Sequence, residues 1–136
     1  MALEDAQAVR AVADALSAAA GTYHEKWKAG IGDGSIDPAD AMLHVGKEQA
    51  LRQNAAQMYV QAAALAGQEV GETQAGLEGA IRDADQAIAK MKQAAAAIEL
   101  IGDLVTLAAA ITARKPRLAL AAVKELRDDL KQVRPA

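Results

Sequence analysis

Between Val70 and Val105, apolar side chains recur at alternating steps of four and three. The series is Val70, Leu77, Ile81, Ala84, Ile88, Met91, Ala95, Ile98 and Val105, with Gln74 as its one polar member and Gly102 as its weakest. A seven-residue repeat keeps one side of an α-helix turned toward a partner along its length, whereas a half-buried strand would alternate at every second residue. The positions between are mostly Glu, Asp, Lys, Arg, Gln and Ala, as a solvent-facing surface requires. The remainder of the chain must therefore bring helical faces that cover this stripe.

Three other segments carry such faces. Val9, Val12, Leu16, Ala19 and Tyr23, extended by Trp27, predict a first helix over 3–28, ended by Gly30, Gly32 and Gly34. In Asp37-Pro38-Ala39-Asp40 the first Asp suits the N-cap, the proline the first helical position, and the second Asp the first turn. This predicts a second helix over 38–66, with Leu51, Ala55, Met58, Ala62 and Leu65 on one side. Gly67 to Gly71 predicts a turn, because each glycine inside a helix costs about 0.8–1 kcal/mol relative to alanine. A third helix is expected over 70–113, stopped by Pro116, which pushes Lys115 out of helical geometry. A fourth, over 116–133, carries Ala119, Val123, Leu126, Leu130 and Val133. The expectation is an all-α fold: one domain over 1–136, a bundle of about four unequal helices in long antiparallel hairpins with heptad-like packing.

Composition sharpens this picture. About a quarter of the chain is alanine, phenylalanine and cysteine are absent, and Trp27, Tyr23 and Tyr59 are the aromatics. Alanine favours helix and close helix pairs but gives little bulk per contact, so a partner or oligomer is expected to supply part of the stability. Without cysteine there is neither disulfide nor thiolate metal site. The heavy use of Ala, Gly and Val suggests a bacterial, GC-rich source. The acidic start Met-Ala-Leu-Glu-Asp-Ala lacks the character of a signal peptide, which makes cytoplasmic residence the default expectation, with leaderless secretion compatible.

Residues 1–113 carry 8 basic and 15 acidic side chains, a net −7, while residues 114–136 carry 7 basic and 3 acidic, a net +4. The simplest use of that asymmetry is docking of the basic segment on the acidic body of its own chain. No aromatic lies among the basic residues to stack on a base, which argues against nucleic acid.

Catalytic motifs are missing: there is no phosphate-cradling glycine loop, nucleophile elbow or zinc-protease helix motif. Trp27-Lys28-Ala29-Gly30 is one residue too long for the Trp-x-Gly turn of small secreted helical-hairpin proteins. Asp33-Gly34-Ser35-Ile36-Asp37 matches the middle of a calcium loop, but its first two ligand positions would fall on Ala29 and Ile31. Asp40, His44 and Glu48 continue the stripe of Leu51, Ala55 and Met58, and a hairpin would bring His24 opposite His44. That set suits a divalent metal. The expected arrangement is nonetheless a slip at Gly46 that turns Met42 and Val45 inward and leaves the four polar groups in solvent.

The candidate interaction residues are Leu100, Leu104, Leu107 and Ile111. They form a second apolar line centred about 200° from Ile98 on a helical wheel. One neighbour cannot cover both lines. The fourth helix could fold back over the second, using Val123, Leu126 and Leu130, but it is shorter than the helix it must cover, so self-association is expected, with a dimer the simplest closed form. The expected function is accordingly a non-enzymatic helical interaction protein of structural, adaptor, chaperone or immunity type. The alternative is a membrane-active protein inserting Ala94–Ala113, a segment of spanning length burdened by Glu99 and Asp103. A metal-dependent enzyme or sensor at the His24 and His44 end comes third. No cofactor is expected.

Overall fold

The computed structural model describes residues 2–133, and among these it contains helices and no strand. The elements are α1 (Ala6–Gly32), α2 (Pro38–Val60), a single-turn α3 (Ala62–Leu65), α4 (Gln74–Lys90), a 3-10 turn at Ala94–Ala97, α5 (Ile98–Thr112) and α6 (Pro116–Gln132). The all-α bundle expected from periodicity is the fold observed. The bonds between helices also fix their directions. Tyr23 to His44, His24 to Glu48 and Tyr59 to Asp14 make α1 and α2 antiparallel, whereas Gln74 to Ala8 and Lys26 to Ala89 make α4 parallel to α1. Packing runs in a closed ring, α1 to α2 to α5 to α6 to α4 and back to α1, around one continuous apolar cluster.

Local chemistry sets most helix ends. Asp5 caps α1 by accepting from the Ala8 amide at 2.8 Å, and Asp37 caps α2 by accepting from Ala39 at 3.1 Å, with Pro38 at the first helical position. The first helix runs on to Gly32, past the end expected at residue 28. Gly30 serves close packing instead of termination, since a Cβ there would lie 2.6 Å from Cδ1 of Ile36. The turn predicted between the second and third helices is present: Gly67 and Gly71 have φ of 89° and 67°, which glycine adopts freely. Gln74, the polar member of the stripe, accepts from the Leu3 amide and donates to the Ala8 carbonyl, each at 2.9 Å, and so ties the N-terminal residues onto α4.

The third helix departs from expectation. Residues 70–113 do not form one helix but two, α4 and α5, separated by extended backbone at Met91 and Gln93 and the 3-10 turn. No glycine or proline marks the break. It is closed from outside, by the Lys26 ammonium donating to the Ala89 carbonyl at 2.9 Å, a favourable use of a cation at a helix C-terminus. The interruption rotates the helix that follows. Leu77, Ile81, Ala84, Ile88 and Met91 are buried as the heptad stripe requires, but Ala95 is exposed and Ile98, Gly102 and Val105 are only partly covered. Ala94, Ala97, Leu100, Ile101, Leu104, Leu107 and Ile111 take over the core.

At the far end Pro116 opens α6 as expected, after Arg114 turns the chain with φ of 59°. Docking of this segment rests on buried Val123 and Leu126 and on an Arg127 to Glu72 ion pair of 2.7 Å. Arg134, the last of its basic residues, lies outside the described residues.

Candidate functional site

At the loop end of the α1–α2 hairpin the slip at Gly46 does not occur. His44 and Glu48 are buried, at 2 % and 8 % exposure, whereas Met42 and Leu43 stand out in solvent at 73 % and 48 %. The wheel continued from Leu51 and Ala55 through Glu48 to His44 is thus the observed one, and the expected inward turn of Met42 is corrected. The reason is that α1 offers partners for the polar groups. Glu48 accepts three bonds: from His24 Nδ1 at 2.7 Å and Trp27 Nε1 at 2.8 Å on one oxygen, and from Arg52 Nε at 2.6 Å on the other. Burying a carboxylate is tolerated when its lone pairs are taken up in this way.

His44 bonds instead to the Tyr23 hydroxyl. Burial, helped by the Glu48 charge, pushes the Tyr23 hydroxyl up to about 12, so it keeps its proton and donates to Nδ1. Burial also lowers His44 below its ordinary 6.5, against a smaller opposing effect from Asp40, which favours the neutral ring that can accept. The two histidines therefore answer to different partners and do not converge on one point. The arrangement is a structural polar network across the hairpin. The calcium-like loop is likewise occupied with its own turn, since Asp33 accepts from the Ser35 amide and Asp37 caps α2.

Leu100, Leu104, Leu107 and Ile111 are each at most 1 % exposed. Their cover comes from α6 and α2 of the same chain, while Ile98, Gly102 and Val105 of the main stripe stay only partly covered, so the two lines do not both need a partner. They have no free surface to offer a second copy.

The open surface lies elsewhere. On α2 the outward half of the helix, running through Met42, Leu43, Gln49, Gln53, Ala56 and Val60, carries no charged residue, and Val60 is 81 % exposed. Lys47 and Arg52 flank this face without entering it. The outer faces of the neighbouring helices differ: α1 exposes Arg10, Asp14, Glu25 and Lys28, and α6 exposes Arg117, Lys124, Glu125 and Asp128. A shallow groove of about 740 Å³ lies between α2 and α5, lined by Lys47, Ile98, Glu99, Gly102, Asp103 and Thr106 among others. The neutral face was legible in the sequence as a run of glutamines, but only the phase of the buried His44 and Glu48 shows which way it points.

Comparison of the chain with protein-family models, curated proteins and solved structures gave no match.

Proposed function

We propose that this protein is a non-enzymatic helical interaction module, with the uncharged outer face of α2 as its working surface and a second copy of the chain as its partner. The observation that carries this reading is the absence of charge from an exposed helix face extending about 27 Å from Met42 to Val60. Loss of charged residues distinguishes the centre of an interface from ordinary surface. Two copies of a chain with net charge −3 repel over most approaches. A neutral face meeting its own image in a two-fold pair escapes that repulsion.

The test is light scattering across a dilution series. The wild type is expected to move from monomer to dimer with rising concentration. Gln53→Glu, at an exposed position in the middle of the face, is expected to remain monomeric and helical, because it sets like charges opposite one another. A wild type that stays monomeric at the highest concentration would remove self-association from the proposal.

A second reading draws on Ala94–Thr112, a 19-residue segment apolar and long enough to cross a membrane, half of it buried inside the bundle. Insertion would require α5 to leave the core with its leucines, which ties membrane activity to loosening of the fold. Vesicle leakage is therefore expected to be absent near neutral pH and, if this reading holds, to appear in mild acid and rise with Glu99→Gln. Silence at both pH values would count against it.

A further inference from the structure

Where α5 and α6 pack, three carboxylates meet. Asp103 comes from α5, Glu125 and Asp129 from successive turns of α6, and each offers an oxygen within 4.8 Å of the others. Asp129 is 9 % exposed, and one oxygen of Asp129 and one of Asp103 are shielded from solvent without a hydrogen-bond partner. Glu99 stands one turn before Asp103 on the groove shared with Lys47 of α2, and Arg127 of α6 is turned away to Glu72. Acid therefore faces acid at the point where the ring of helices closes, on a segment whose overall charge is basic.

Such a cluster is costly unless something neutralises it. Burial, then the hydrogen bond and charge of Asp129, with smaller effects of Glu125 and Glu99, push the Asp103 carboxyl up to about 8. A proton shared by Asp103 and Asp129 joins only those two groups. It gives Glu125 no part. A cation can engage all three carboxylates.

We propose that Asp103, Glu125 and Asp129 bind a divalent cation through oxygen alone, with calcium the best fit, and that the ion clamps α5 to α6. The donors are hard oxygens, without the sulfur or imidazole that soft or borderline metals prefer. Two oxygens bound to one calcium at about 2.3–2.6 Å stand up to about 5 Å apart, whereas the tighter magnesium shell spans only about 4 Å. Oxygens within 4.8 Å of one another are compatible with either shell. Calcium is favoured because it tolerates the irregular geometry that two helices impose, where magnesium demands a near-ideal octahedron. Exposed Glu125 leaves one side open for water to complete the shell.

The experiment is calorimetric titration of the full chain with calcium, magnesium and manganese, paired with thermal unfolding at each ion concentration. One calcium per chain is expected, with a rise in melting temperature, since an ion that binds only the folded state stabilises it. Glu125→Gln changes an exposed residue and should fold as the wild type does; its calcium affinity is expected to fall at least about tenfold. Asp129→Asn is expected to abolish binding. Should Asp129→Asn fail to fold, the Glu125→Gln titration decides. No heat and no thermal shift with any of the three ions at millimolar concentration would overturn the proposal, as would calcium binding undiminished in Glu125→Gln.

Discussion

Leu104→Ala is expected to lower the unfolding free energy by about 3–4 kcal/mol, and Leu104→Glu to leave the chain unfolded at room temperature. Leu104 is wholly buried on α5, the helix that packs against both α6 and α2. Truncating a buried leucine removes its transfer free energy and leaves a cavity that neighbours fill only in part. Against a total stability of about 5–15 kcal/mol for a domain, that is a large fraction, and a buried unpaired carboxylate is worse. The informative control is Ile98→Ala. Ile98 belongs to the heptad stripe but is only partly covered, so its truncation is expected to cost less than half as much. Urea unfolding followed by far-UV circular dichroism measures both. If Ile98→Ala proved the more damaging, the helix would have the phase read from the heptad pattern, and the break at Met91 would be wrong.

The second large effect concerns Glu48. Glu48→Ala is expected to cost about 2–3 kcal/mol at neutral pH, because it strands the Trp27 N–H and removes charge-assisted bonds from Arg52 and His24. Glu48→Gln keeps an acceptor and should cost less. Burial works to raise the Glu48 carboxyl, but the bonds from Arg52, His24 and Trp27 outweigh it and hold it below its ordinary 4.5. A carboxylate lowered on folding contributes stability above its unfolded value, and that contribution is lost as pH falls through the folded one. His44, lowered below 6.5, acts in the same direction, since acid must charge a ring that the fold keeps neutral. These two groups are expected to make stability decline on acidification in two stages, the first below about pH 6.5 and the second below about pH 4.5. Asp103, raised to about 8, adds stability as pH falls from there and so works against the first stage. In Glu48→Ala the second stage should shrink. The urea midpoint measured across this range reads it directly, and an unchanged acid limb in the variant would show that the network does not have this role.

Much of the fold was legible because it follows from local chemistry. Apolar residues at helical spacing placed α1, α2 and α6, and Asp37 with Pro38 marked the start of α2 whatever surrounds it. Gly67 and Gly71 marked a turn, since few other residues adopt their backbone angles at so little cost.

What local chemistry could not supply was phase and partner. Nothing between Lys90 and Gln93 disfavours a helix, so only the packing that seats α4 on α1 and α5 on α2 and α6, with Lys26 closing α4, exchanged the buried face for the open one. The same limit applied to Glu48 and His44. An acid or an imidazole on an apolar stripe is equally compatible with solvent and with burial, and the outcome turned on Tyr23, His24 and Trp27 arriving from another helix. Asp129 stands at the third position after Leu126, an apolar slot on its helix, and that was the available signal for the acidic cluster. The sequence by itself therefore determined where helices form and which side chains must be buried together. The tertiary structure decided which faces meet, because that choice depends on contacts between residues far apart along the chain, which periodicity along one helix cannot encode.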